Sequence, residues 1–246
     1  MANRSSDAHE WILLRELNHR INNEFASAIN LVAVGAVIAE NPEVKATLSN
    51  VVELLHRHAD VHRALAMPAS NGLVETAEYL RRIGMVVSRS KLDRMNIHLV
   101  LAADALRLES DRCWRLGLLV HELITNSARH ASFDNQSGEI KIELRRLGAL
   151  VNCIVSDNGS GSAVVRPGHG LSIVNELGKS LGGRIEYASG AGCRSFVLIF
   201  PLTKREQKGN ASVARRRRRA DRKLTATRPL SPPGKLNIQR VVPTER

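Results

Sequence analysis

Apolar residues recur every three or four positions through the first quarter of the chain, and this spacing predicts two long amphipathic helices. The first stripe lies within residues 8–40 and consists of Leu14, Leu17, Ile21, Phe25, Ala28 and Val32. Asn41-Pro42 ends this helix, because the residue before a proline disfavours the helical conformation. A second stripe continues to Met67-Pro68 and consists of Val44, Leu48, Val51, Leu55 and Ala59.

Two long helices with a short connection predict an antiparallel hairpin over residues 8–68. One hairpin has too little apolar surface to be stable alone. Pairing with a second copy would give a four-helix bundle, so we expect a homodimer.

Residues 72–202 follow a different pattern, in which helices alternate with short extended runs. Helices are predicted at 75–90, 111–131 and 169–181, and extended segments at 97–101, 106–108, 138–147, 149–157, 184–187 and 195–200. Neighbouring strands are joined by short turns such as "RLGAL". We therefore expect an α+β fold with a mostly antiparallel sheet covered by helices on one face.

Residues 203–246 carry nearly all of the formal net charge of +12. Fourteen Lys and Arg residues lie there against three acids, and the segment is rich in proline without apolar periodicity. Such a composition predicts a disordered tail. The Arg215–Arg219 run either contacts nucleic acid or anionic lipid or is simply solvated, and like-charge runs favour the second interpretation.

Cysteine usage and hydropathy constrain the surroundings of the chain. The three cysteines are far apart and form no C-x-x-C pair, so neither a disulfide framework nor a zinc site is expected. No apolar run is expected to reach the roughly 20 residues of a membrane span, and the N-terminus lacks the apolar core of a secretion signal. We expect a cytoplasmic protein.

The helix predicted from Asp111 carries an unusual polar face. Its sequence "RLGLLVHELITNSARHAS" places Glu122, Asn126, Arg129 and His130 at positions i, i+4, i+7 and i+8. A solvated face would usually pair Glu with Lys. A carboxylate, an amide and two basic groups instead suit Mg²⁺ and the phosphates that it carries.

Two glycine-rich segments follow. In "VSDNGSG", Asp157 ends an apolar strand, and Gly159 and Gly161 allow close approach of a ligand. In "GHGLSIVNELGKSLGG", Gly168 and Gly170 precede an amphipathic helix whose free N–H groups favour an anion. An ordinary turn explains any single glycine, and the chain has no P-loop.

Together these segments resemble a known family. "HELITN" with "ARHA", "SDNGSG", "GHGLSIV" and "GAGCRSFVLIFPL" are similar, in this order, to the N, G1, G2 and terminal boxes of the GHKL superfamily, specifically sensor histidine kinases. The resemblance covers residues 75–202. Upstream, "ELNHRINNEF" resembles the acceptor box of the subgroup in which arginine follows the histidine.

The resemblance implies an α/β-sandwich ATP-binding domain and assigns roles to the residues above. Asn126 would coordinate Mg²⁺, and Glu122 would assist the transfer. Arg129 and His130 would face the phosphates, and Asp157 would accept a hydrogen bond from the adenine amino group. The lid would be shaped by Gly159, Gly161, Gly168 and Gly170. His19 would receive the γ-phosphoryl group and pass it to a response regulator.

Helical geometry places His19 about 200° around the helix from Leu17 and Ile21, so the imidazole should face away from the bundle core. A neutral imidazole is nucleophilic near pH 7. Glu16, three residues earlier, should hold the ring through its other nitrogen.

Two departures leave an alternative open. The subgroup usually has H-R-x-K-N-N, whereas Asn22 replaces the lysine here and Glu24 the second asparagine. A non-catalytic dimeric adaptor or phosphotransfer module is therefore the second hypothesis. A serine kinase of the anti-sigma type is disfavoured because such chains have no acceptor hairpin. We expect any input signal to come from a separate sensor protein or through the tail.

Overall fold

The computed structural model describes residues 3–68, 72–130, 132–133, 137–160, 169–190 and 193–211. The chain divides into two compact units, Met1–Gly209 and Asn210–Arg246. Of the second unit only Asn210 and Ala211 are described, and both are helical. The rest of the predicted tail, including Arg215–Arg219, lies outside the described residues.

The first two helices form the predicted hairpin. Helix α1 spans Asn3–Ile38 and packs against α2, which spans Pro42–Ala64. Asn41 belongs to the second helix rather than the first, because its side-chain oxygen accepts hydrogen bonds from the backbone N–H groups of Glu43 (2.8 Å) and Val44 (3.4 Å). Proline at the first position of α2 has no N–H to leave unpaired, so the Asn-Pro pair starts this helix.

The hairpin buries few apolar side chains. Its buried apolar residues in the described part are Ile29, Ala36, Ala59 and Ala64. Its large exposed apolar residues are Leu13, Leu14, Leu17, Leu31, Val34, Val37, Ile38, Val44, Val51 and Leu54. A surface of this kind suits a second copy of the hairpin, and the dimeric four-helix bundle stays a prediction.

One segment corrects an expectation about membranes. Glu16–Ile38 is 23 residues long and contains an 18-residue window with a mean hydropathy of 1.4, enough by length and composition to cross a membrane. The expectation that no run is long and apolar enough was therefore wrong. The segment is weak support for a membrane span, because an exposed apolar face awaiting a partner helix gives the same composition.

Residues 72–202 form the α+β domain. Its elements are β1 (Leu73–Glu75), α3 (Thr76–Val87), β2 (Ile97–Ala103), β3 (Arg107–Glu109), α4 (Ser110–His130), β4 (Gly138–Leu147), β5 (Leu150–Asp157), α5 (His169–Ser180), β6 (Arg184–Gly190) and β7 (Cys193–Pro201). A π-helical turn, Ser88–Leu92, and a 3-10 turn, Asp93–Met95, lie between α3 and β2.

The main sheet has five strands in the order β2-β4-β5-β7-β6. β2 runs parallel to β4 and the other three pairs are antiparallel, which confirms the mostly antiparallel sheet. In β4 the buried residues Ile140, Ile142 and Leu144 alternate with charged ones, and α4 packs against β5. One face of the sheet therefore makes the core.

Two features differ from the sequence-based expectations. The three-residue strands β1 and β3 pair with each other, and β1 was not predicted because three residues show no periodicity. Residues 204–211 are helical, although the tail was expected to begin at Thr203. Glu206 is fully buried, and its carboxylate accepts hydrogen bonds from Arg112 Nε (3.0 Å) and the Glu109 N–H (2.9 Å).

Candidate functional site

The polar face of α4 meets the first turn of α5. Gly170 is the second residue of α5, and a Cβ at this position would lie 3.3 Å from the side-chain amide of Asn126 and 3.4 Å from Glu122 Oε2. Glycine therefore allows the helix start to approach both side chains closely. The structure thus brings together three residues that the sequence predicted for one site.

Asp157 lies at the end of β5, as predicted, and its side chain is buried, with 1% exposed. Ser127 Oγ donates to Asp157 Oδ2 at 2.7 Å, and the Gly159 N–H donates to Oδ1 at 3.1 Å. Ser127 comes from α4, one residue after Asn126. The carboxylate therefore links β5 to the helix that carries the polar face.

Arg194 is a site residue that the sequence analysis did not identify. It is the residue opposite Asp157 in the antiparallel pairing of β5 with β7. Its Nε lies 3.3 Å from Asp157 Oδ1 and its Nη2 lies 3.2 Å from Oδ2. Its Nη1 donates to the His130 carbonyl oxygen at 3.4 Å. Only the strand register reveals this pair, which lies 37 residues apart in sequence.

The end of α4 is joined to the turn after β5. Ser132 and Ser160 form an isolated antiparallel bridge, with N–H to carbonyl distances of 2.9 and 2.7 Å. Gly159 is buried in this turn. Gly161 and Gly168, which were expected to shape a lid, lie outside the described residues.

Basic groups surround the exposed end of α4. Arg129 and His130 are exposed, as their expected role requires. Lys91, in the π-helical turn, was not predicted; burial and the charge of Arg129 lower its pKa. Burial and the charge of Lys91 lower the pKa of His121. These effects indicate that Lys91 lies near both Arg129 and His121.

The donor set suits magnesium held mainly by phosphates. Among the described residues, no group of three or more His, Cys, Asp or Glu side chains could hold a metal ion. The Asn126 and Glu122 oxygens nonetheless converge near Gly170. Mg²⁺ typically takes one or two oxygens from protein and the rest from water and phosphate, so the residues present fit this ion.

His19 is exposed on α1, as the helical geometry predicted. Asn23 Nδ2 lies 3.2 Å from its Nδ1. The structure differs from the expectation for Glu16, whose carboxylate accepts a hydrogen bond from Arg20 Nε at 2.9 Å. An arginine four residues after a glutamate is the favoured arrangement for a helical ion pair, and it draws Glu16 away from the ring.

The comparisons with known proteins agree with this geometry. Residues 114–204 match the profile of the histidine kinase-, DNA gyrase B-, and HSP90-like ATPase family. This part of the chain is similar to the ATPase domains of that family. The match contains most of α4, including Glu122 and Asn126, and it ends just after β7.

Similarity to curated relatives extends over more of the chain than the ATPase profile does. Blue-light-activated histidine kinase 2 of Erythrobacter litoralis is 24% identical over 204 residues, which is 78% of this chain and 58% of that protein. Sensor histidine kinase PdtaS of Mycobacterium tuberculosis is 30% identical over 205 residues, which is 78% of this chain and 40% of that protein. The chain thus spans between two-fifths and three-fifths of these relatives.

A solved structure shares the fold. The histidine kinase domain of the Erythrobacter litoralis EL346 blue-light activated histidine kinase superposes with a TM-score of 0.54 at 22% sequence identity. The superposition covers 75% of this chain and 98% of that domain. This likeness supports the fold described above.

Proposed function

We propose that this chain is an ATP-dependent protein-histidine kinase that phosphorylates itself on His19 and passes the phosphoryl group to an aspartate of a response regulator. One observation carries the proposal: an exposed histidine on a helical hairpin precedes an ATPase domain in which Glu122, Asn126 and Gly170 converge. The match to the ATPase family and the similarity to sensor histidine kinases support it.

Within this proposal the site residues of the α+β domain bind the metal ion or the phosphates. Asn126 and Glu122 would hold Mg²⁺, which supplies charge neutralisation of the triphosphate when bound. Arg129, His130 and the newly identified Lys91 attract the phosphates, and the N–H groups at the start of α5 favour the same anion. Phosphoryl transfer needs mainly in-line positioning, which these groups provide.

Asn23 prepares His19 for attack. With its amide turned so that the carbonyl oxygen faces the ring, Asn23 accepts a hydrogen bond from Nδ1–H and leaves the Nε2 lone pair free. That lone pair forms the N–P bond while the bond from the γ-phosphorus to the bridging oxygen breaks, and ADP leaves with the electron pair. The ring keeps its Nδ1 proton throughout. Transfer to the regulator then breaks the N–P bond and forms a bond to a carboxylate oxygen.

The wider biology belongs to the same proposal. We infer a homodimer formed through the hairpins and a cytoplasmic location. The apolar residues exposed on α1 and α2 support the dimer.

Labelling with γ-³²P-ATP tests the proposal. We expect an acid-labile label that disappears in His19→Ala and in Asn126→Ala. His56→Ala is the matched control, because His56 is an exposed histidine of α2 with no expected role, and it should keep the label. Addition of an isolated receiver domain should then remove the label from the chain.

The departures at Asn22 and Glu24 favour a second candidate, a dimeric adaptor without turnover. Asn22 Oδ1 is buried without a hydrogen-bond partner in the described part of the chain, where the subgroup usually has a lysine. Calorimetry with ATP separates the two candidates. A kinase binds ATP and acquires label, whereas an adaptor whose nucleotide site has been lost does neither.

A further inference from the structure

Asp157 has no acceptor site left for a nucleotide base. An ionised carboxylate offers about four lone-pair positions. Ser127 Oγ and Arg194 Nη2 lie 2.7 and 3.2 Å from Oδ2, and the Gly159 N–H and Arg194 Nε lie 3.1 and 3.3 Å from Oδ1. All four positions therefore have donors from the chain itself.

Two of these donors cannot leave easily. Gly159 follows Asp157 by two residues in the same turn, and the buried hydroxyl of Ser127 is fixed on α4. Both donors of Arg194 belong to a long side chain that keeps 15% of its surface exposed. The guanidinium is therefore the group that must yield when another donor reaches the carboxylate.

We propose that Arg194 determines which purine the site accepts, because it competes with the 6-amino group for Asp157 and offers N–H donors to a 6-oxo group. The inference rests on the proposed function and on the role that the family resemblance implies for Asp157, which is to accept a hydrogen bond from the base. A 6-amino group is a hydrogen-bond donor. It can bond to Asp157 only if one of the two Arg194 N–H groups gives up its hydrogen bond to the carboxylate. A 6-oxo group is an acceptor and can bond to the guanidinium directly.

The expected result is weak discrimination between ATP and inosine triphosphate, the 6-oxo analogue. A buried carboxylate without the arginine would repel the 6-oxo group and reject inosine triphosphate strongly. With Arg194 in place, the two dissociation constants should agree within about fivefold, since one charge-assisted hydrogen bond replaces another.

Calorimetry on the full chain tests this with Mg²⁺ and each nucleotide. In Arg194→Thr, ATP should bind about fivefold more tightly and inosine triphosphate about tenfold more weakly, so the ratio of dissociation constants rises about fiftyfold. Arg184→Thr is the matched control, because Arg184 lies on the exposed side of β6 and pairs only with Glu186 among the described contacts. It should leave both constants unchanged.

Arg194→Lys keeps the test decisive if Arg194→Thr does not fold. Lysine retains the charge but cannot make the bidentate contact. The ratio of the two dissociation constants in Arg194→Lys should therefore lie between the ratios of the wild type and of Arg194→Thr. A ratio that is the same in all variants overturns the inference, as does a wild type that rejects inosine triphosphate by more than about a hundredfold. A wild type that binds neither nucleotide overturns the proposed nucleotide site itself.

Discussion

The hairpin and the α+β domain differ in how much of their apolar surface they bury. The largest fully buried side chains all belong to the α+β domain, including Phe200, Leu80, Ile83 and Ile124. In the hairpin, Leu31 is 77% exposed and Ile38 is 71% exposed. The α+β domain thus completes its core from one chain, whereas the hairpin leaves an apolar surface exposed that the proposed dimer would cover. The two regions should respond differently to substitution.

The largest effect is expected inside the α+β domain. Arg112→Ala leaves the fully buried Glu206 carboxylate without its guanidinium and removes hydrogen bonds to the Leu181 and Pro201 carbonyls. Loss of one partner from a buried pair should lower the free energy of unfolding by about 3–5 kcal/mol. Urea denaturation measures this. Arg115→Ala, three residues later with a more exposed ion pair to Asp111, should cost at most about 1 kcal/mol.

If Arg112→Ala and Arg115→Ala lowered the free energy of unfolding equally, the buried pair of Arg112 and Glu206 would not be what stabilises the α+β domain.

The hairpin should respond through association instead. Leu31→Glu together with Ile38→Glu places two charges on the exposed apolar face of α1. We expect the dimer to weaken by about a hundredfold, because each charge must be desolvated in the interface. Sedimentation velocity measures the change, and circular dichroism should show that the helices remain. Asn30→Glu, an exposed polar position nearby, should stay dimeric.

A double variant that sediments like the wild type would show that this face is not the one covered by a second copy.

Within the hairpin, positioning of His19 should depend on Asn23 rather than on Glu16. Asn23→Ala removes the contact to Nδ1 and should slow autophosphorylation about tenfold, the usual size of such an orienting effect. Glu16→Ala breaks only the exposed pair with Arg20 and should change the rate less than about twofold. Initial rates of label incorporation decide between them, and a larger effect from Glu16→Ala would reverse the assignment.

The smallest expected effect is on the pH dependence of the stability of the α+β domain. The lowered pKa of His121 means that the unfolded chain takes up this proton before the folded chain does as the pH falls. The stabilising contribution is therefore complete above the ordinary histidine pKa of about 6.5 and is lost as the pH falls below it. His121→Gln should lose less stability than the wild type between about pH 7.5 and about pH 5.5 in thermal unfolding.

His98→Gln, an exposed histidine of β2, should follow the wild type. A wild-type pH dependence that His121→Gln leaves unchanged would show that another group titrates.

Sequence patterns predicted what depends on local spacing. The apolar stripes predicted α1, α2 and α4, and the ordered glycine and polar segments predicted that Glu122, Asn126 and Gly170 share one site. The patterns failed where distant residues meet. Arg194 faces Asp157 only because β7 pairs with β5 in a particular register. Glu206 looked like part of a charged tail because its burial depends on Arg112, far away in sequence.

Local competition explains another difference. Both Glu16 and Asn23 lie within one helical turn of His19, and periodicity alone favours neither. Arg20 decides the matter by pairing with Glu16. The pair could have been predicted from the sequence, because Arg20 lies four residues after Glu16, the spacing of a helical ion pair.

Three side chains of the α+β domain donate hydrogen bonds to main-chain carbonyl groups of the connector that follows the hairpin. Trp114 Nε1 donates to the Leu65 carbonyl at 2.9 Å, Ser110 Oγ to that of Pro68 at 2.8 Å, and the Tyr79 hydroxyl to that of Ala66 at 3.4 Å. Every residue type presents the same carbonyl group. A hairpin from another protein, joined at this point, would therefore retain these three hydrogen bonds. We expect the α+β domain to fold when it is fused to such a hairpin.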